Sequence, residues 1–403
     1  MINTAYIFDG VRTAIGNFGG SLSTVRTDDL AALVLKGLME KFPSVDQSQI
    51  TDVIMGCANQ AGEDNRNVAR MALLLAGLPY SIPGETVNRL CASGMSATIS
   101  AARAIMTGDS DLIIAAGVEN MTRGPLIMSK ASSPFGRDQQ LFDSSFGWRF
   151  INPKMKEIYG VDAMGETAEN LVEIHKISRD DQDKFAYWSQ QKAAKAFHSG
   201  RLAEEIIPVN IPQKKGDPIS FMKDEFAKEN TSLEGLAKLK ASFRKEGTVT
   251  AGNASGLNDG AAAILLGSEK AAKEFNLTPK ARIVSSGVAG VEPRIMGIGP
   301  VNASKIALKK AGLTLNDIDI IELNEAFAAQ VLSCTRSLGI DDNDPRINPN
   351  GGAIALGHPL GMSGTRLIQT ASTELQKQNK KYALCTMCIG VGQGFAVIIE
   401  NVK

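Results

Sequence analysis

The sequence lacks the features that would point to a metal centre, a nucleic acid or a membrane. It contains only three histidines and five cysteines in 403 residues, and the single CxxC at 385–388 has no second pair, so a zinc module is not indicated. Lys plus Arg and Asp plus Glu both number 43, so no general affinity for nucleic acid or anionic lipid is expected. No window offers about 18 uncharged apolar residues, and no transmembrane helix is predicted.

The small number of cysteines also bears on the compartment. Five cysteines in a chain of this length are typical of a protein kept in a reducing environment. Residues 1–12 include Asp9 and no long apolar run, so no signal peptide is visible. We therefore expect a cytoplasmic protein with neither a nucleic-acid nor a membrane partner.

Apolar strands and amphipathic helices alternate near both ends of the chain. Strands are predicted at 5–9, 50–56, 111–116, 261–266, 281–286, 318–323, 382–388 and 394–399, and helices at 27–41, 68–75, 92–106, 303–311 and 361–378. This alternation predicts a parallel α/β sheet. The order of Cys91, a helix and a buried strand recurs as His358, a helix and a buried strand, which predicts two similar halves.

Residues 119–247 have a different texture, with more polar residues and no βα alternation. Helices are predicted there at 167–176 and 179–199, followed by a lysine-rich stretch that is equally compatible with a solvated face. We interpret this region as an insertion that lies over the sheet. The predicted domains are an N-terminal half (1–118 plus 248–275), a loop domain (119–247) and a C-terminal half (276–403).

Cys91 lies where an extended segment ends and a helix rich in Ala, Ser and Met begins. A thiol at a helix N-terminus is exposed to the positive end of the helix dipole, which favours the thiolate. The small residues beside it would let a bulky substrate approach. Taken alone, this window is more typical of a buried free cysteine that packs as a small apolar side chain.

Three further residues could serve a cysteine nucleophile. His358, between Gly and Pro just before a helix, is the best placed of the three histidines to act as a base, with a structural histidine as the alternative. Cys388 opens a glycine-rich turn whose N–H groups suit an oxyanion site, a phosphate-binding loop or a plain hairpin. Asn324 follows a predicted strand, where it could contribute to a site or cap the next helix.

Together these stretches resemble the thiolases, the acyl-CoA C-acyltransferases, over essentially the whole chain. The resemblance is carried by NRLC at 88–91, NASGLNDGA at 253–261, NEAF at 324–327, GHP at 357–359 and CIG at 388–390. Segments 59–68, 146–153 and 385–388 are similar to the branch that cleaves 3-oxoadipyl-CoA in aromatic-compound degradation. The resemblance implies a thiolase fold, in which two similar βαβ-based halves form a five-layer α/β/α/β/α sandwich with an inserted loop domain.

The resemblance also implies a role for each matched position. Cys91 would take the acyl group, and His358 would activate its thiol and help to hold the thioester oxyanion. Cys388 would protonate the leaving CoA enolate, and Asn324 would hold a water at the enolate oxygen. The N–H groups of Cys91 and Gly390 would form the second oxyanion site.

CoA is expected as a co-substrate, with no permanently bound cofactor and no metal. We expect it to lie along Ser255, Met164 and the lysine-rich part of the insertion, where Lys228 is the candidate near the ribose phosphate. A dicarboxylic acyl-CoA needs a partner for its terminal carboxylate. Arg149 is the hypothesis for that partner, because a guanidinium binds a carboxylate through two parallel hydrogen bonds, and Arg123 is the second choice. A homo-oligomer, a dimer or a tetramer, is expected.

Ala163 departs from the pattern of acetoacetyl-specific relatives, which carry His before the methionine that matches Met164. This difference argues against an acetoacetyl-CoA thiolase and leaves room for a longer acyl chain. That enzyme, a general 3-ketoacyl-CoA thiolase and a non-catalytic CoA- or lipid-binding protein on the same scaffold are the alternatives. The last is disfavoured because Cys91, His358 and Cys388 are all present. A dinucleotide site is also disfavoured, since no GxGxxG follows a first strand.

Overall fold

Apolar runs separated by polar turns form the strands of one large sheet and two separate hairpins in a computed structural model that describes residues 3–402. The strands are β1 (Tyr6–Thr13), β2 (Gly16–Asn17), β3 (Asp52–Gly56), β4 (Gly84–Val87), β5 (Leu112–Asn120), β6 (Leu126–Met128), β7 (Leu141–Asp143), β8 (Ile206–Ile207), β9 (Val209–Ile211), β10 (Ile219–Phe221), β11 (Asn258–Gly267), β12 (Ala281–Gly290), β13 (Ile320–Leu323), β14 (Tyr382–Ile389) and β15 (Gln393–Asn401).

Helices with one apolar face connect these strands. They are α1 (Thr27–Lys41), α2 (Val68–Leu75), α3 (Ser93–Thr107), α4 (Pro153–Tyr159), α5 (Met164–His175), α6 (Arg179–His198), α7 (Leu233–Ala237), α8 (Glu269–Glu274), α9 (Gly299–Ala311), α10 (Ala328–Leu338), α11 (Ala353–Leu356) and α12 (Leu360–Lys377). No helix of the described chain combines the length and the apolar character needed to cross a membrane.

The two ends of the chain build the same strand order twice. In the first half the order is β1-β11-β5-β3-β4, and the β5-β3 and β3-β4 pairs are parallel. In the second half the order is β12-β15-β14-β13, with β14 and β13 parallel, and a parallel bridge from Ile321 to Ile347 takes the place of the last strand. A short antiparallel pairing of β1 with β12 joins the halves. The predicted repeat of two similar halves is therefore confirmed.

Three apolar cores separate the layers of the fold. α1 and α2 pack on the outer face of the first half-sheet, and α9 and α10 pack on the outer face of the second. α3 and α12 lie between the half-sheets in one shared core, which includes Met95 and Ile368. The small residues of α3 allow this close packing, since a Cβ on Gly94 would lie 2.5 Å from the Gly361 carbonyl oxygen. The result is the predicted five-layer α/β/α/β/α sandwich.

The insertion contributes little to the main sheet. Between β5 and β11, β6 pairs with β7 and β9 pairs with β10 in separate hairpins, and only β8 pairs with β1. The two helices predicted there correspond to α5 and α6, and Ser178 and Asp181 form a capping box at the start of α6. β4 and α10 were not predicted, because β4 is a short half-exposed edge strand and α10 directly follows the NEAF motif. The three-domain division stays a prediction.

Candidate active site

The two central helices bring the sequence-predicted residues together. α3 begins at Ser93, two residues after Cys91, and α12 begins at Leu360, two residues after His358. The close approach of these helices therefore places Cys91 and His358 at neighbouring helix starts. The Glu119 carboxylate fixes this junction, because it accepts the Gly361 N–H at 2.9 Å and also affects the proton affinity of Cys91.

A strained turn holds Cys91. Leu90 has φ +47°, which is costly for a residue with a branched side chain. The Ser93 hydroxyl compensates by accepting the Arg89 N–H at 2.9 Å and donating to the Leu90 carbonyl at 2.7 Å. Position 91 is thus set by hydrogen bonds from the first residue of α3.

Cys91 rests as a thiol. Burial raises its pKa to about 11, while the N–H groups of Gly390 and of Cys91 itself oppose that rise and Glu119 adds to it. The expectation that the helix start alone favours the thiolate is therefore wrong for the free protein, because desolvation outweighs it. Cys91 needs a base during the reaction.

His358 has both ring nitrogens occupied. Nδ1 lies 2.6 Å from Ser363 Oγ, whose hydroxyl lies 2.8 Å from the Pro359 carbonyl, and Nε2 lies 3.3 Å from Asn324 Nδ2. The hydrogen-bond pattern assigns the proton to Nδ1, because Ser363 donates to Pro359 and the Asn324 amide donates to Nε2. The Asn258 side chain accepts the His358 backbone N–H at 2.9 Å.

The imidazole is neutral and available as a base. Burial, and then the positive charge of Arg366, lower the pKa of His358 to about 3. Arg366 lies 3.6 Å from Glu322, and both side chains are almost fully buried beneath the site. Burial also raises the pKa of Glu322 to about 8, although Arg366 opposes that rise, and burial is the main reason that the imidazole stays unprotonated.

Asn324 does not cap a helix, and its side chain lies against the imidazole of His358. α10 begins at Ala328 after Phe327, without a side-chain cap. The Asn324 amide contacts His358, and its backbone N–H donates to the Thr386 carbonyl at 3.0 Å, which ties it to β14. Its Oδ1 is buried and has no hydrogen-bond partner among the described residues. A buried carbonyl in that state is suited to a water or a substrate donor.

Cys388 and Gly390 approach Cys91 from the second half. β14 and β15 form a hairpin whose turn contains Gly390, as one of the alternatives from sequence predicted. The same turn directs the Gly390 N–H to the Cys91 sulfur. Gly390 lies against Leu90, since a Cβ added at Gly390 would lie 3.4 Å from Leu90 Cδ1. Burial, and then the nearby Cys91 and Cys334, raise the pKa of Cys388 well above its usual range. Cys388 therefore rests as a protonated thiol.

The residues predicted to hold CoA border the same face. Met164 begins α5, and its sulfur would lie 3.8 Å from a Cβ on Gly390. The Ser255 backbone and hydroxyl both donate to the Ala326 carbonyl, at 3.0 and 3.2 Å. Phe226 packs on Gly256, and the exposed Lys228 places Nζ 5.5 Å from the Phe226 ring. Lys228 and Ser255 thus lie near each other through Phe226.

The two arginines proposed for a substrate carboxylate differ in their partners. Arg123 is occupied, since its Nε lies 2.7 Å from a Glu63 carboxylate oxygen and its Nη1 donates to the Ser23 carbonyl. Arg149 is half-buried and donates to the Ser144 carbonyl at 3.2 Å. Within residues 3–402, Arg149 has no ion-pair partner. Arg149 stays a prediction, and the second choice is disfavoured.

One buried group has the side chains of a metal site. Cys57, Asp64 and Glu119 place ligand atoms within 4.8 Å of one another. The Glu119 oxygens already accept the backbone N–H groups of Ala58 and Asn59, each at 3.0 Å, in addition to the Gly361 N–H. This carboxylate is therefore engaged in joining the two halves.

Several residues that shape the site were not predicted from sequence. Ser363, Asn258 and Glu119 orient His358 or the helix that follows it, although Asn258 is 100 residues away from His358 in the chain. Ser363 had a weak signal, as the first hydroxyl on the helix that follows the histidine. Asn258 lies in the NASGLNDGA block, but no role was predicted for it, and Glu119 had no signal, because the partners of both residues are far away in the chain.

Comparison with known proteins gives consistent matches over the whole chain. Residues 5–270 match the family model of the thiolase N-terminal domain, and residues 277–401 match that of the thiolase C-terminal domain. The chain is 60% identical to the 3-oxoadipyl-CoA/3-oxo-5,6-dehydrosuberyl-CoA thiolase of Escherichia coli K12, covering 99% of both chains. It is 58% identical to a beta-ketoadipyl-CoA thiolase of Acinetobacter baylyi with the same coverage.

A solved structure agrees with the fold. The structure of human mitochondrial 3-ketoacyl-CoA thiolase superposes with a TM-score of 0.92 at 40% identity, covering 99% of both chains.

The raised pKa of Cys91 predicts how this thiol reacts with an alkylating agent. Because the thiolate is the nucleophile, alkylation by iodoacetamide should still be accelerating at about pH 9 in the free protein. Peptide mass spectrometry locates the label, and the Cys91→Ser variant is the control that should lose it. A rate that levels off below about pH 8 would show a stabilised thiolate and contradict the assignment.

Proposed function

Because this chain belongs to the thiolase family, we propose that it cleaves 3-oxoadipyl-CoA with CoA to succinyl-CoA and acetyl-CoA. The pathway would be aromatic-compound degradation through phenylacetate or β-ketoadipate. The observation that carries the reaction type is the convergence of two thiols, Cys91 and Cys388, with a neutral imidazole. The substrate assignment is supported by relatives of 58% and 60% identity that are named for this acyl group.

The first half of the reaction forms an acyl-enzyme. His358 Nε2 takes the Cys91 proton, and the Cys91 sulfur bonds to the C3 carbonyl carbon of the substrate. The bond between C2 and C3 then breaks, its electron pair forms the enolate of acetyl-CoA, and Cys388 gives that enolate a proton. Succinyl remains on Cys91, and acetyl-CoA leaves.

The second half returns the acyl group to CoA. The Cys388 thiolate takes the proton of the incoming CoA thiol, and the CoA sulfur attacks the thioester. Cys91 leaves as a thiolate and regains its proton from the imidazolium of His358. All protons are thereby restored, and no oxidant or reductant is consumed.

Two groups of donors meet the negative charge that develops in these steps. The N–H groups of Cys91 and Gly390 interact with the Cys91 sulfur, which places them beside the carbonyl that it attacks. His358, together with a water on Asn324, would meet the enolate oxygen. The unpartnered Oδ1 of Asn324 supports that role, because it leaves a hydrogen-bond acceptor available at the imidazole.

A broader substrate range is the second candidate. Cleavage of acetoacetyl-CoA or of general 3-ketoacyl-CoA would use the same steps. Ala163 lies exposed at the start of α5 beside Met164, and the small side chain gives space next to the reaction centre. That space favours an acyl group longer than acetyl.

CoA would lie along Ser255, Met164 and Lys228. The Ala326 carbonyl fixes the Ser255 segment, Met164 supplies apolar surface, and the Lys228 ammonium is available for a phosphate. We also propose that Arg149 contributes to recognition of the terminal carboxylate, supported by its lack of an ion-pair partner within residues 3–402.

We propose a cytoplasmic homo-oligomer. The five cysteines are all free, which suits a reducing compartment. The β6–β7 hairpin exposes large apolar side chains, including Leu126, Met128 and Leu141 at 64%, 67% and 65% exposure, and a second copy of the chain would cover them. Light scattering that gives a monomer mass would contradict the oligomer.

The substrate proposal predicts a preference among three acyl-CoA thioesters. CoA-dependent loss of 3-oxoadipyl-CoA should have a higher kcat/KM than loss of acetoacetyl-CoA or of a long-chain 3-ketoacyl-CoA. Mass spectrometry should find succinyl on Cys91, and Cys91→Ser should lower turnover by roughly a thousandfold or more. Preferred cleavage of acetoacetyl-CoA would assign the second candidate function.

The proton-donor role of Cys388 predicts a separable defect. Cys388→Ala should still be acylated on Cys91 by acetyl-CoA, although more slowly, because the nucleophile and its base are intact and the CoA thiolate can leave without a proton from residue 388. It should fail to exchange deuterium into the methyl group of acetyl-CoA, since that step needs the second thiol. Cys385→Ala, which removes another buried thiol of β14, is the matched control. Near-normal exchange in Cys388→Ala would exclude the role.

The position of Lys228 predicts an effect on CoA binding alone. Contacts to the nucleotide are common to the ground state and the transition state, so their loss raises KM and leaves kcat nearly unchanged. Lys228→Ala should therefore raise the KM for CoA. Lys223→Ala is a matched control, because Lys223 is exposed on the same segment and pairs with Glu229 at 2.8 Å. A lowered kcat with an unchanged KM would contradict this placement.

A further inference from the structure

A narrow cleft opens beside the proposed oxyanion turn, between the inserted region and the second half. Its walls are formed by Trp148, Asp162 and Met164 on one side and by Pro293, Arg294 and Val391 on the other. Val391 follows Gly390, whose N–H interacts with the Cys91 sulfur. The cleft therefore lies next to the turn that carries Gly390, and the Arg294 side chain forms part of its wall.

The packing of the turn fixes the location of Arg294. Gly392 has φ +84°, and a Cβ there would lie 2.9 Å from Pro293 Cα, so the turn and the residue before Arg294 are in direct contact. On the opposite wall, Trp148 donates its indole N–H to the Asp162 carbonyl at 3.2 Å. Each wall is thus held by contacts outside the cleft.

The Nε atom of Arg294 is hydrogen-bonded, whereas its two Nη groups are available. Its Nε lies 2.9 Å from Asp162 Oδ2, and the Asp162 carboxylate also accepts the Asn170 amide at 3.0 Å. The Arg294 Nη groups have no hydrogen-bond acceptor within residues 3–402, and the side chain is 54% exposed. A guanidinium with its Nε edge bound can still present Nη1 and Nη2 to a second carboxylate.

The charges around Arg294 permit such a ligand. Burial opposes ionisation of Asp162, but Arg294 and Asn170 hold the pKa of that carboxyl below its ordinary value, with Arg244 contributing. Asp162 is therefore a carboxylate that accepts hydrogen bonds from both Arg294 and Asn170. Glu292 is the other acidic neighbour of Arg294. Arg244 itself is occupied by Glu166 and Glu173, so Arg294 is the guanidinium on the cleft wall with free donors.

We propose that Arg294 binds the terminal carboxylate of the acyl group and thereby selects dicarboxylic substrates. This inference rests on the proposed function, since it names the residue that distinguishes 3-oxoadipyl-CoA from uncharged 3-oxoacyl-CoA thioesters. The acyl group on Cys91 would extend past Val391 along the mouth of the cleft, where the Arg294 side chain is exposed. Ala163, between Asp162 and Met164, would leave space along its path. Asp162 is a positioning residue, because its carboxylate holds the Nε edge of Arg294 and leaves the Nη groups free for a ligand.

The test compares two substrates of equal chain length. 3-Oxoadipyl-CoA ends in a carboxylate, and 3-oxohexanoyl-CoA ends in a methyl group at the same position. In Arg294→Met, kcat/KM should fall roughly 10- to 100-fold for the first substrate and less than about threefold for the second. Arg294→Lys keeps the charge without the planar fork and should give an intermediate loss. Arg282→Met removes an exposed arginine that pairs with Glu400 and should leave both substrates unaffected.

Further variants separate recognition from loop docking. Asp162→Asn removes the ion pair but keeps the guanidinium, so it should retain a preference for the carboxylate substrate. Equal losses on both substrates in Arg294→Met would mean that Arg294 only docks the insertion, and the proposal would be overturned. A selective loss in Arg149→Met with none in Arg294→Met would transfer the role to Arg149.

The same assay also distinguishes failure of this inference from failure of the proposed function. If the unmodified enzyme does not prefer 3-oxoadipyl-CoA over 3-oxohexanoyl-CoA, the proposed substrate is wrong whatever the variants do, and this inference falls with it. If it does prefer 3-oxoadipyl-CoA and Arg294→Met keeps that preference, only the assignment to Arg294 fails. Acylation of Cys91 by succinyl-CoA and by butyryl-CoA, followed by intact mass, should show the same selectivity in the acyl-binding step alone.

Discussion

The contact between α3 and α12 is the constraint on which the site depends. Neither helix could approach the other closely if Gly94 carried a side chain, because a Cβ there would lie 2.5 Å from the Gly361 carbonyl oxygen. Cys91 lies just before the start of α3 and His358 just before the start of α12. Because the two helices pack closely, Cys91 and His358 lie near each other. Glu119 reinforces the junction from the end of β5, where its carboxylate accepts N–H groups from both halves of the molecule. Folding and active-site assembly are therefore one event in this architecture.

Burial determines the protonation state of the reactive groups more than local charge does. It raises the pKa of Cys91 to about 11 and lowers that of His358 to about 3. The free site therefore holds two thiols and a neutral imidazole, with no resting ion pair. Charge appears only when a substrate is present to receive it, close to fixed donors such as the Gly390 N–H. This arrangement suits a reaction in which protons are exchanged and then fully restored.

The inserted region has a different task from the sandwich. It supplies one wall of the cleft and the start of α5, and the Asp162–Arg294 ion pair attaches it to the second half. The proposed selectivity residues therefore lie where the insertion meets the second half, with Ala163 on the insertion and Arg294 on the second half. They are separate from the groups held by the two central helices, and a rigid scaffold that positions variable loops is a division that many enzymes use.

The sequence by itself determined the alternation of elements and the two similar halves, and it predicted Cys91, His358, Cys388 and Asn324 as the reactive set. These follow from local patterns and short motifs. Only the tertiary structure decided that the Cys91 thiol resists ionisation, because desolvation depends on the packing around the sulfur. It likewise decided that Asn258, Ser363 and Glu119 orient the histidine helix, and that Arg294 faces a cleft beside Gly390 while Arg123 is bound to Glu63. Partners far apart in the chain are chosen by strand register and helix packing, and no local pattern records that choice.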